Sequence, residues 1–236
     1  EGLDFYSSLK SRYVGYLSFA LNYKIHGFKV TGYHIVNLTI HLLSALLVYC
    51  LVLLTYRTPF LKSSILKGYS SYIALFSGIL FVSHPIQTEA VTYVFQRFAS
   101  LAAMFYLLSV VFYAKWRLSS EEEGVRGLRP RRGLGLNPKV LLYLLPLLFF
   151  LLAIKTKENA FTLPLTIMLY EYFFFTGKSS VRALLLAPFL LLTLFFTPVA
   201  FFEKGAAVIE DVSSLGFKEM PSTAYLFTEL RVIVTY

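Results

Sequence analysis

The sequence predicts an all-α polytopic membrane protein, and three observations carry that prediction. Of its 236 residues, 57% are apolar and 15% charged, whereas a soluble domain carries about 25% charged side chains. The mean hydropathy is +0.65. Several apolar runs approach the roughly 20 residues a helix needs to cross a bilayer. They are continuous rather than alternating, which selects helices over strands. A soluble enzyme, a disulfide scaffold and a disordered chain are thereby excluded. The single cysteine, Cys50, lies inside an apolar run and has no partner for an intrachain bridge.

Taken in order, residues 1–32 read as an outer loop with an interface-lying helix, not a span. Arg12, Tyr13, Tyr16, Phe19, Tyr23, Lys24, Phe28 and Tyr33 mix aromatic rings with bases, as a helix at the membrane–water boundary does. Spans are expected at 33–54, 70–83, 90–114, 140–154, 159–175 and 183–202, the second and fourth extending into flanking polar sequence. A seventh is expected to begin at 223 and to be unfinished at Tyr236. With no signal peptide after Glu1, the expectation is a stretch of a longer protein: residues 33–236 form a transmembrane core, truncated at both ends, with about six complete helices. Residues 119–138 hold six glycines and prolines among their charges and read as a loop. Asn37-Leu38-Thr39 matches a glycosylation sequon, but its place inside a span predicts that it is unused.

Loop charge sets the orientation. Residues 55–69, 115–139 and 176–182 hold twelve Lys and Arg in 47 residues, against eight in the 62 residues of 1–32, 84–89, 155–158 and 203–222. The positive-inside bias puts the first set in the cytoplasm. The net charge of +9 is then explained by topology and attraction to anionic lipid, and nucleic acid is not expected as a partner.

Most unusual residues fall on the opposite, outer side. Ser83-His84-Pro85-Ile86-Gln87-Thr88-Glu89-Ala90-Val91 leads into a helix bearing Gln96 and Arg97. On one continuous helix, Glu89 and Arg97 stand about 12 Å apart along the axis with about 80° of rotation between them. Arg97 then lies inside the membrane, where an ionisable group is costly and faces a cavity or a partner. Lys155-Thr156-Lys157-Glu158-Asn159 reads either as a polar turn whose lysines reach the headgroups or as a cationic clamp for phosphate, with Glu158 orienting a lysine. Glu229 and Arg231 add charge near the outer half of the seventh segment. His34, Asn37 and His41 share one helical stripe. Without a local carboxylate or cysteine, interhelical hydrogen bonds are preferred to a metal site. No phosphate-binding glycine loop, zinc spacing or nucleophile elbow occurs. Arg and Lys at an outer rim suit a phosphate with an apolar tail, so a lipid-linked sugar phosphate is the predicted ligand.

Several blocks carry a family resemblance. Ser18-Phe19-Ala20-Leu21-Asn22-Tyr23 comes first, followed by Gly32-Tyr33-His34, Asn37-Leu38 and His41. Next come His84-Pro85-Ile86-Gln87-Thr88-Glu89-Ala90-Val91 with Gln96-Arg97, Lys157-Glu158 with Leu163-Pro164, and Leu230-Arg231-Val232-Ile233-Val234-Thr235-Tyr236. In this order they resemble bacterial membrane proteins with C-terminal tetratricopeptide repeats. Those proteins are related to the transmembrane and tetratricopeptide-repeat O-mannosyltransferases of the C-type glycosyltransferase superfamily. The resemblance implies an inverting enzyme that moves a sugar from a polyprenyl-phosphate donor to a protein or glycan acceptor. It also implies a bacterial inner membrane and a periplasmic active site. Arg97, Lys157 and Arg231 are expected at the donor phosphate, and His84, Glu89, Gln96 and Glu158 around it. No catalytic base is assigned, because the family's acidic motif follows a first membrane helix expected upstream of Glu1. No metal ligand is assigned, and a divalent cation is left open. The alternatives are an oligosaccharide ligase using a lipid-diphosphate donor and a non-enzymatic transporter or anchor subunit.

Overall fold

The computed structural model describes residues 12–126, 138–176 and 184–196, and every regular element among them is helical. Helix α1 (Tyr13–His26) ends at Gly27, whose φ of 58° lies in the left-handed region that favours glycine. The Gly27 N–H closes the helix on the Tyr23 carbonyl at 2.7 Å. After this tight turn α2 (Val30–Thr55) runs for 26 residues. Tyr33 fastens the corner by donating its hydroxyl to the Gly27 carbonyl at 2.9 Å. A Cβ at Gly32 would overlap the His26 ring, so only glycine lets α2 start this close to the end of α1.

Helix α3 (Ser70–Ser83) is preceded by a 3-10 turn, Ile65–Tyr69. It packs along α2, with Ala74 fully buried and Gly78 against the Ala45 carbonyl. The short α4 (Thr88–Thr92) leads to α5 (Arg97–Arg126), which lies between α2 and α6 (Pro138–Ile154). A 3-10 turn, Glu158–Thr162, opens into α7 (Leu163–Phe174), and α8 (Leu184–Phe196) follows. One apolar core joins these last helices: Tyr113 of α5, Phe150 of α6, Ile167 of α7 and Phe189 of α8 are all fully buried in it.

Among the described residues, three helical stretches are long and apolar enough to cross a membrane: Val30–Thr55, Ile65–Ser83 and Val94–Glu121. The second reaches 19 residues only by adding its 3-10 lead-in, as its short apolar run required. Leu142–Ile154 and Leu184–Phe196 are shorter apolar helices. The expected span at 159–175 opens as 3-10 and leaves α7 with twelve residues. The helix expected from Ala90 instead breaks at Tyr93, which is extended, and restarts at Arg97. The loop expected from Lys115 is helical as far as Arg126. The seventh segment lies outside the described residues.

At the far end of α5 from Arg97, a buried ionic cluster ties α5 to α7. Glu171, 1% exposed, accepts from Arg117 Nε at 3.0 Å and from the Tyr113 hydroxyl at 3.1 Å. Arg117 also donates to Glu121 at 2.7 Å and lies over the Phe175 ring at 4.8 Å. Removing one member of a buried ion pair strands the other in a low-dielectric site, at a cost of about 3–5 kcal/mol. Glu171→Ala is therefore expected to lower the thermal unfolding midpoint in detergent sharply, and Arg117→Leu combined with Glu171→Leu to recover most of the loss. A single substitution that leaves the midpoint unchanged would show that the pair does not hold α7 in place.

Candidate functional site

The segment between α3 and α5 is irregular, and irregular backbone in a membrane protein must find hydrogen-bond partners inside the protein. Pro85 has no N–H and stops α3 at Ser83. His84 is extended and caps the following 3-10 turn, its Nδ1 accepting from the Ile86 N–H at 3.2 Å. The second break, at Tyr93, falls between Thr92 and Val94, two β-branched residues that lower helix propensity.

Three side chains on one stripe of α2 reach the carbonyls of this region. His41 Nε2 lies 3.3 Å from the Val82 carbonyl, and His34 Nδ1 lies 3.2 Å from that of Val91. Asn37 Nδ2 donates to the Val94 carbonyl at 3.5 Å. The stripe therefore makes interhelical hydrogen bonds, the alternative preferred from the sequence. Asn37, the sequon residue, is fully buried.

Arg97 is the centre of the arrangement. It is 0% exposed, and its guanidinium donates from Nε to Asn37 Oδ1 at 2.7 Å, from Nη2 to the Tyr33 carbonyl at 3.0 Å and from Nη1 to the Ser18 carbonyl at 3.5 Å. Its carbon centre lies 4.4 Å from the Phe19 ring centroid and 5.4 Å from that of Tyr33. Cation–π contacts of this kind partly replace lost hydration. Among the described residues no carboxylate pairs with it. Three of its five N–H donors are taken by protein acceptors, so one remains on each terminal nitrogen.

Helix α1 connects Arg97 to the turn after α6. Its Ser18 and Phe19 meet the guanidinium, while Gly15 lies so close to Phe98 that a Cβ there would enter the ring. At the start of α1, Arg12 forms a two-pronged pair with Glu158, at 3.2 Å from Nε and 3.1 Å from Nη2. The Val14 N–H donates to the Lys155 carbonyl at 3.1 Å. Lys155 Nζ stands 4.7 Å from the Phe196 ring centroid.

The expected site residues thus separate into groups. Arg97 and Glu158 are linked through α1, with Arg12 taking the place of the lysine expected beside Glu158. Lys157 is half-buried in the same turn. His84 and Glu89 are exposed on the irregular segment and Gln96 is half-buried in the turn before Arg97. The break at Tyr93 cancels the continuous-helix spacing expected for Glu89 and Arg97. Arg231 lies outside the described residues. Sequence reasoning missed Arg12 as the partner of Glu158, which is 146 residues away. It also missed the Tyr113–Arg117–Glu171 cluster, whose one signal was an acid in the apolar run of α7. Among the described residues, no three His, Cys, Asp or Glu side chains group as metal ligands.

Comparison with known proteins gives partial matches of one kind. The chain is 37% identical to Protein O-mannosyl-transferase TMTC2 of Mus musculus over 99 residues, which is 42% of this chain and 10% of that protein. It is 34% identical to Protein O-mannosyl-transferase Tmtc2 of Drosophila melanogaster over 159 residues, 66% of this chain and 14% of that protein. It is 33% identical to Protein O-mannosyl-transferase TMTC4 of Homo sapiens over 110 residues, 46% of this chain and 15% of that protein. The chain spans between 10% and 15% of the length of these curated relatives. No family model and no solved structure matches it. Over the matched stretches the chain is related to protein O-mannosyl-transferases.

The Arg97 node makes a direct prediction. Asn37→Leu removes the strongest acceptor of a buried cation and the donor to the Val94 carbonyl, each loss costing about 1–3 kcal/mol. Thermal unfolding in detergent is expected to show a loss at the upper end of that range, with His34→Leu costing less. Equal effects from the two substitutions would mean that Asn37 serves only the α2 stripe.

Proposed function

We propose that this chain is part of the membrane core of a C-type glycosyltransferase that moves a sugar from a polyprenyl-phosphate donor to a protein hydroxyl on the non-cytoplasmic face. The reading rests on the similarity to protein O-mannosyl-transferases and above all on one observation. Arg97 is a wholly buried cation with no carboxylate among the described residues and with an unused donor on each terminal nitrogen.

A phosphate supplies the charge this node lacks. Arginine binds phosphate through paired, charge-assisted hydrogen bonds. The 3.5 Å contact to the Ser18 carbonyl is the longest of the three, so donor binding exchanges that contact first. Lys157 and Arg231 add positive charge to the same phosphate, and His84, Glu89, Gln96 and Glu158 line the approach. In transfer, the bond between the sugar's anomeric carbon and the phosphate oxygen breaks as the acceptor oxygen attacks. The cations stabilise the negative charge left on the phosphate, and a base takes the acceptor's proton. None of the described acids is assigned as that base. The bacterial inner membrane, with the site facing the periplasm, belongs to the same proposal: the resemblance alone supports the bacterial membrane, and the loop-charge asymmetry supports the non-cytoplasmic side.

The test is donor consumption, followed by mass spectrometry, when the protein in detergent is given polyprenyl-phosphate sugars, mannose first, and an acceptor peptide. Arg97→Lys keeps the charge but loses the fork, and is expected to reduce turnover by about 10²-fold, the usual effect of removing one preorganised donor. Full turnover in a folded Arg97→Lys protein would remove Arg97 from the donor site. No consumption of any such donor by the unaltered protein would overturn the reading.

A further inference from the structure

The connection between α2 and α3 is basic, ordered and unlike a solvated loop. From Thr55 to Ser83 the sequence contains no acid, while Arg57, Lys62 and Lys67 are all exposed. Among the described residues none of the three cations meets a carboxylate. Between and beside them stand four large apolar side chains that are also exposed: Phe60 at 68%, Ile65 at 94%, Leu66 at 53% and Tyr69 at 61%.

Local hydrogen bonds hold these side chains in place. Thr58 is fully buried and donates its hydroxyl to the Thr55 carbonyl at 2.6 Å, while the Lys62 N–H bonds to the Thr58 carbonyl at 2.9 Å. Ser64 accepts the Leu66 N–H at 3.2 Å, and the Phe60 ring meets the edge of Phe174. Exposed isoleucine and phenylalanine in water carry a hydrophobic cost. Here α2 and the stretch Ile65–Ser83, whose first turn is the 3-10 lead-in to α3, are each long and apolar enough to cross a membrane, so residues 56–69 stand where the two stretches meet, at a membrane surface. There the apolar side chains enter the boundary between headgroups and acyl chains, which leaves Arg57, Lys62 and Lys67 at headgroup level.

We propose that the connection over residues 56–69 is a docking site for anionic phospholipid headgroups, with Arg57, Lys62 and Lys67 binding the phosphates and Phe60, Ile65, Leu66 and Tyr69 anchoring the turn in the bilayer. Charge complementarity selects this occupant: three cations without an acid, beside apolar groups, match a negatively charged lipid surface. The site is separate from the Arg97 node and does not depend on the sugar-transfer reading.

The experiment reconstitutes the chain in phosphatidylcholine bilayers and measures, by electron spin resonance, the motionally restricted fraction of spin-labelled phosphatidylglycerol against spin-labelled phosphatidylcholine. A basic residue near an anionic surface is worth about a fivefold bias, so about fivefold enrichment of phosphatidylglycerol is expected. It should shrink as salt is raised. The triple substitution Arg57→Gln, Lys62→Gln, Lys67→Gln should lower the ratio markedly, leaving only the part owed to the nine Lys and Arg of 115–139 and 176–182. Lys24→Gln with Lys29→Gln, at the other end of α2, should leave it unchanged. No enrichment in the unaltered chain, enrichment insensitive to salt, or equal loss in both variants would overturn the proposal. If the triple variant does not fold, the single substitutions Arg57→Gln, Lys62→Gln and Lys67→Gln decide, each expected to lower the ratio and overturning the proposal if none does. Displacement of the lipid by soluble polyglutamate would assign the site to an acidic protein partner instead and would also overturn it.

Discussion

A single buried charge organises this end of the molecule. Stripping a guanidinium of water costs several kcal/mol after all relaxation, and Arg97 recovers that cost without a carboxylate among the described residues. It does so by drawing separate pieces of chain together: the Asn37 amide and Tyr33 carbonyl of α2, the Ser18 carbonyl of α1 and two aromatic faces. Once Asn37 accepts from Arg97, its amide nitrogen is directed at the Val94 carbonyl. Its neighbours on the stripe, His34 and His41, meet the Val91 carbonyl of that segment and the Val82 carbonyl in the last turn of α3. The break before α5, the stripe on α2 and the docking of α1 are one solution to one electrostatic requirement.

The two ends of α5 meet that requirement in opposite ways. At Arg117 the charge is balanced inside the protein by Glu171 and Glu121, with the Tyr113 hydroxyl completing the set. That arrangement is self-sufficient, and it ties α7 to α5. At Arg97 the partners are neutral, and the positive charge is shared among carbonyls and rings without being cancelled. A site that keeps such an imbalance suits an anion, whereas a cluster like that of Arg117 suits structural holding. The contrast within one helix gives the functional reading its physical basis.

Much of this was legible in the sequence. Hydropathy located the long helices because crossing a bilayer demands continuous apolar runs. Arg97 stood out because ionisable residues are rare within them. The His34–Asn37–His41 stripe was legible because a helical period places those residues on one face. The break at Tyr93 was not, since no glycine or proline marks it, and the β-branched Thr92 and Val94 lower helix propensity too slightly to signal it without the tertiary partners that stabilise it. The Arg12–Glu158 pair was hidden by its separation in sequence. The three-residue turn at Gly27 decides how α1 folds back, and a left-handed glycine signals a corner without naming what the corner brings together.

Amide hydrogen exchange on the unaltered protein and on Arg97→Leu tests the central claim most directly. If Arg97 holds α1 and the irregular segment, the substitution will strip protection from residues 13–26 and 91–96 while residues 105–116, packed in the core of α5, α6 and α7, stay protected. Undiminished protection of 13–26 in the variant would contradict the account, because α1 would then be held by its other contacts alone.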